Sequence, residues 1–143
     1  MRAVLLTVLA VGFCLTANAQ EATKKDQEKL QGDWTLASGQ RDGEEFPEDL
    51  VKSLKRTMKN DQFSITRDGA DLAKGKYKLD ATKKPKVIDI TLEGSDSAVR
   101  GIYELDGDTF KLCYAAPGED RPKEFVSKAG TGITLAVWKR VKK

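Results

Sequence analysis

From Gly32 onward, apolar and polar positions alternate with a period of two. Trp34, Leu36 and Ser38 share one parity, with Asp33, Thr35 and Ala37 on the other. Ala73, Gly75, Tyr77 and Leu79 alternate with Lys74, Lys76 and Lys78, and Ile88, Ile90 and Leu92 with Asp89 and Thr91. Val99, Gly101, Tyr103 and Leu105 form another set, then Phe110, Leu112 and Tyr114, and finally Ile133, Leu135 and Val137. A period of two with one wet face marks half-buried β-strands. The pattern predicts eight of them, over 32–40, 61–67, 71–79, 87–92, 99–105, 109–115, 122–127 and 133–141.

The breaks between these runs carry turn residues. Arg67-Asp68-Gly69-Ala70 and Leu105-Asp106-Gly107-Asp108 read as hairpin turns. Lys84-Pro85, Glu93-Gly94-Ser95, Pro117-Gly118 and Gly130-Thr131-Gly132 read as loops. One segment departs from the alternation. Over Phe46–Met58, Leu50, Val51, Leu54 and Met58 fall on one helical face, with Pro47, Glu48 and Asp49 at its start and Lys55, Arg56 and Lys59 near its end. The expected fold is therefore all-β with one short helix. Eight strands joined by short connections favour an antiparallel meander that closes into a β-barrel and removes its own edges.

The first residues belong to a different class. Arg2 precedes an apolar run, Ala3 to Leu15, and Ala17-Asn18-Ala19 is an A-x-A cleavage pattern. A run of about 13 residues falls short of the about 20 that span a bilayer as a helix. Residues 1–19 therefore read as a secretory signal peptide, 20–25 as a polar linker and 26–143 as one domain with one core. The expected location is periplasmic or extracellular, with no stable membrane insertion after cleavage. A lipoprotein anchor at Cys14 is disfavoured, because the bulky Phe13 precedes it. Charged residues make up 33% of the chain, yet the formal net charge is only +3, so no concentrated nucleic-acid footprint is present. Cys113 is the single cysteine beyond residue 19. The domain thus depends on its core rather than on an intrachain disulfide.

Several stretches resemble a planctomycete-type family of small exported domains of unknown function. They are Leu30-Gln31-Gly32-Asp33-Trp34, Gly75-Lys76-Tyr77-Lys78-Leu79-Asp80, Lys84 to Thr91, Gly101 to Cys113, Pro117 to Pro122 and Trp138-Lys139-Arg140. Together they run through most of residues 26–141. The resemblance implies a lipocalin-like β-barrel and no established activity. A glycine-x-tryptophan opening the first strand and a basic residue closing the last resemble the closed end of lipocalin-like barrels. If Ile133, Leu135 and Val137 face inward, however, Arg140 faces outward. Packing Arg140 over Trp34 would then need a bulge near Val137 or a place at the barrel's end.

The chain contains no histidine, which removes histidine-based nucleophilic catalysis and histidine metal sites. One cysteine past the leader cannot build a cysteine-rich zinc site. Asp68 with Asp71, and Asp106 with Asp108, flank turns. Turn chemistry accounts for them better than calcium or acid–base work, because neither pair sits in an EF-hand spacing. No catalytic residue, metal or cofactor is expected. Glu119-Asp120-Arg121 is read as a rigid solvated turn ahead of a recognition loop. The candidate ligand-binding residues are Trp34, Tyr77, Tyr103 and Tyr114, whose rings supply apolar surface and whose polar atoms can orient a ligand. A core filled by those same rings is the competing view. The expected function is an exported, monomeric, non-enzymatic domain that binds a small apolar ligand or a cell-envelope partner. The alternative is a structural or protein-interaction domain with a filled barrel.

Overall fold

The alternating segments close on themselves. The computed structural model describes the backbone of residues 13–142 and side chains from Gln20 onward. A helix, α1 (Phe13–Leu30), leads into β1 (Gly32–Arg41) and a two-residue strand, β2 (Glu44–Glu45). A short helix, α2 (Glu48–Ser53), is followed by β3 (Leu54–Lys59), β4 (Gln62–Arg67), β5 (Ala70–Asp80) and β6 (Lys86–Leu92). The chain ends with β7 (Ala98–Asp106), β8 (Thr109–Tyr114) and β9 (Thr134–Arg140). All pairings are antiparallel, and β1 pairs with β9 as well as with β3, so eight strands close a barrel and β2 adds one short extra strand to β1. The hairpin turns fall where the sequence places them. Asp68 and Gly69 both take positive φ, as a two-residue turn requires.

The eight barrel strands are not the eight expected. The predicted helix over Phe46–Met58 ends at Ser53, and Leu54 turns extended at φ −90° and ψ 133°. From there Leu54, Arg56 and Met58 point inward while Lys55, Thr57 and Lys59 point out. This segment carries both a helical and a two-residue period, and pairing with β1 and β4 on its two sides decides for the strand. Conversely, residues 122–127 form no strand. β8 pairs directly with β9, which leaves no open edge there for another strand.

Residues 115–133 instead cross the outside of the barrel. Arg121 Nη1 donates to the carbonyls of Ile88 and Gly101, and Nη2 pairs with Asp89 at 2.6 Å. The expected solvated turn is thus pinned at Arg121. The crossing segment buries Ile102 and Cys113, both on outward parity. Cys113 Sγ donates to the carbonyl of Glu124 at 3.4 Å, and burial pushes the thiol pKa up. Cys113 is a free, buried thiol. Cys113→Ser is expected to fold and to lose about 1 kcal/mol, since the hydroxyl can keep the Glu124 bond while meeting a poorer environment. A urea melt measures this; failure to fold, or a disulfide-linked dimer as the native form, contradicts it.

The last strand corrects the expected parity. Thr134, Ala136 and Trp138 are buried inward, while Ile133, Leu135 and Val137 are half-buried on the outer face. β9 is apolar on both faces because one meets the core and the other lies on the side that residues 115–133 cross. Arg140 therefore faces inward without a bulge in β9. The irregularity lies in β1, between Leu36 and Ser38, and it exposes Ser38 and turns Gly39 inward.

The expected linker at 20–25 is helical. It belongs to α1, which docks across one barrel end through Thr23 to the Ala81 N–H and through Asp26 and Leu30. Tertiary docking of this kind supplies most of the stability of a helix in a folded protein. Residues 1–12 of the expected signal peptide lie outside the described residues. No helix among the described residues is long and apolar enough to cross a membrane.

Candidate functional site

The barrel interior has two unlike halves. At the end closed by α1, aromatic rings fill the space. Trp34 and Phe110 lie with ring centroids 5.8 Å apart, and Tyr103 meets Phe110 at 6.4 Å. Trp34 is fully buried, and its Nε1–H donates to the Leu30 carbonyl at 2.9 Å. The Arg140 guanidinium lies over the Trp34 ring at 4.3 Å and donates to the carbonyls of Gln31 and Lys29. The Lys29 carbonyl lies in the last turn of α1 and Gln31 directly follows it, so Arg140 both stacks on the tryptophan and satisfies a helix C-terminus. Asp108, beside the β7–β8 turn, pairs with Arg140 Nε at 3.4 Å. Gly32 makes the turn from helix to strand at φ +115°, which a side chain would strain.

Tyr77 and Tyr103 also serve this end. Tyr103 Oη donates to Asp26 Oδ2 at 2.8 Å, and Lys86 Nζ pairs with the same carboxylate at 2.8 Å. Burial, then the bond to Asp26, pushes the Tyr103 phenol pKa upward, so it stays protonated. Tyr77 Oη donates to the Asn60 carbonyl at 2.7 Å and accepts from Gln31 Nε2. Its pKa is likewise raised, first by burial. Of the four candidate ligand-binding residues, Trp34, Tyr77 and Tyr103 therefore seal the closed end, and none of them lines the cavity described next.

That cavity occupies the other half, toward α2. Its volume is about 310 Å³. Leu36, Leu54, Ile65, Ile90, Val99 and Ala136 form apolar walls, and Phe46, Leu50 and Leu72 stand on the side of α2 and the β4–β5 hairpin. Leu72 is 59% exposed, which places it at the rim. Phe46 lies across Gly39 so closely that a Cβ there would overlap its ring. Tyr114 is the one candidate residue that lines this space. A concavity of about 680 Å³ also lies along β3 to β6, lined mainly by exposed residues such as Thr57, Lys59, Lys74 and Glu93. The inner cavity is the better candidate despite its smaller size, because its walls are mostly buried and apolar and include three residues with polar side-chain atoms.

Those polar atoms belong to Arg56, Trp138 and Tyr114. Arg56 is only 4% exposed, although it lies between Trp34 and Ile65 in neighbouring strands. Its guanidinium sits over Trp138 at 4.8 Å and Phe63 at 5.3 Å, and these two rings hold it in place. No ion pair among the described residues includes it. Arg56 Nε and Trp138 Nε1 are buried without hydrogen-bond partners. Burial pushes the guanidinium pKa down to about 10, which leaves it charged at neutral pH. The lining holds no carboxylate or thiol, so what it offers a ligand is enclosure, the donors of Arg56 and Trp138, and the Tyr114 hydroxyl. Among the described residues, no three potential metal ligands cluster.

Arg56 escaped the sequence reading because it was assigned to a helix end. The available signal was the strict alternation of Leu54, Arg56 and Met58 against Lys55, Thr57 and Lys59, which puts an arginine on the apolar parity. Comparisons with protein-family models, curated proteins and solved structures find no match to the chain.

Proposed function

We propose that this chain is an exported, non-enzymatic, lipocalin-like barrel that holds a small ligand in its α2-side cavity. The single observation that supports ligand binding most is the buried apolar space of about 310 Å³ lined by two residues, Arg56 and Trp138, whose buried donors lack partners. A filled structural barrel has no use for such donors, since each buried, unbonded polar atom is unfavourable. Export is supported by Arg2, the apolar run after it and Ala17-Asn18-Ala19, and by the resemblance to small exported domains. Asp26 and Leu30, which close the barrel end, lie beyond the expected cleavage point, so cleavage leaves that end whole.

Native mass spectrometry of the protein isolated from its own envelope tests the binding. A retained small molecule of cavity size is expected; a bare chain mass, or a chain held only by another envelope protein, overturns the ligand reading. N-terminal peptide mapping of the same material should find Gln20 as the first residue. Intact Met1 would mean an anchor instead, and a lipidated Cys14 a lipoprotein.

A further inference from the structure

We infer that the cavity takes an amphipathic anion, with an apolar tail against the aliphatic walls and a carboxylate, or another acceptor-only head, on Arg56 and Trp138. This rests on the ligand-binding reading above and specifies the chemistry of the ligand. The unpartnered groups are all of one kind. A guanidinium and an indole N–H donate and cannot accept. Arg56 Nε and Trp138 Nε1 both lack partners, the guanidinium lies over the indole ring at 4.8 Å, and both residues line the cavity. A group that satisfies both must be an acceptor. A group that also neutralises a buried cation must be an anion.

Charge points the same way. A lone cation in an apolar enclosure is unfavourable, and attraction to an opposite charge strengthens as the local dielectric falls. No described carboxylate pairs with Arg56, and none lines the cavity. The protein thus leaves its buried charge to be matched from outside. The cation–π contacts to Phe63 and Trp138 hold the guanidinium in place, so little side-chain freedom is lost when an anion arrives. A small inorganic anion would leave the apolar remainder empty. At about 30 Å³ for each water-sized unit, about ten non-hydrogen atoms fit, which suits a medium-chain carboxylate.

Isothermal titration calorimetry of the purified, delipidated protein with octanoate, 1-octanol and acetate tests this. Octanoate is expected to bind at least about tenfold tighter than octanol, the range that charge-assisted hydrogen bonds provide. Acetate should bind more weakly still. Arg56→Met should bring octanoate down to the octanol level and weaken octanol far less, since a hydroxyl accepts without the added attraction of opposite charge. Trp138→Phe keeps the ring and removes the N–H, so it should weaken octanoate several-fold and octanol by less; it serves as the second variant if Arg56→Met fails to fold. Equal affinity for octanol and octanoate overturns the anion while leaving the cavity as a ligand site. Acetate binding as tightly as octanoate overturns the tail. Binding of neither octanoate nor octanol overturns both the inference and the ligand-binding reading beneath it.

Discussion

Trp34→Ala is expected to destabilise the barrel by about 3–5 kcal/mol, the range for truncating a large buried aromatic. The indole is fully buried, packed against Phe110 and covered by Arg140. Its loss leaves a void in the half of the barrel that has none to spare. It also orphans the Leu30 carbonyl and takes away the surface on which Arg140 stacks. Those contacts join β1, β9 and the end of α1, so the damage spreads to the closure of the barrel. For a domain with total stability of about 5–15 kcal/mol, this is a large fraction. Trp138→Ala should cost less. Trp138 is also inward and buried, but it borders existing empty space and its N–H has no partner to lose. Urea melts of the two variants measure the difference. A nearly neutral Trp34→Ala would remove Trp34 from the closure of the barrel, and a costlier Trp138→Ala would show that its stack with Arg56 matters more than the filled end.

Arg56→Met is expected to act in the opposite direction and raise stability by about 1–2 kcal/mol. Burial lowers the guanidinium pKa to about 10, well below its ordinary value. At 1.36 kcal/mol per pKa unit, this amounts to about 3 kcal/mol against the folded state. The two cation–π contacts offset part of it. Methionine keeps an adaptable apolar stem in the same place and removes the charge. The pH dependence has a definite sign. The folded pKa is depressed, so the destabilisation is fully present below pH about 10 and disappears only as pH rises from there toward the ordinary guanidinium value. At neutral pH the whole effect is in force. Thermal melts should show a rise of about 4 °C per kcal/mol in a domain of this size. A fall in melting temperature would mean that the aromatic stacks outweigh burial and that Arg56 is a structural residue. A more stable variant that no longer distinguishes octanoate from octanol would show a charge kept for binding at the expense of stability.

Both predictions depend on how far a residue's surroundings follow from its neighbours in the chain. β5, β6, β7 and β8 were legible because each has one dominant apolar parity and clear turn residues at its ends. Their inward residues, such as Tyr77, Ile88, Tyr103 and Phe110, are those that alternation selects. The hairpin turns at Asp68-Gly69 and around Gly107 were legible because positive φ is a local demand. The candidate site was far less so. Three of the four residues chosen from sequence serve the closed end, since parity says inward or outward and says nothing of which end of a barrel a side chain occupies. Only Tyr114 reaches the cavity.

Short-range periodicity and turn chemistry encode an antiparallel β architecture and most of its strand phases, and the composition excludes histidine chemistry. The tertiary structure decided the cases in which the local pattern was double. Leu54–Lys59 carries both periods, and the need for a strand between β1 and β4 chose one. β9 is apolar on both faces, and pairing with β1 and β8 chose which face entered the core. Residues 122–127 read as a strand, but no unpaired edge was left to receive them. Residues 20–25 read as a linker, and a barrel end to dock on made them part of a helix. Arg56 is the sharpest case, because a charged residue on an apolar parity acquires its meaning only when closure of the barrel surrounds it. Periodicity is a property of a few neighbouring residues, whereas closure, docking and burial are properties of the whole chain.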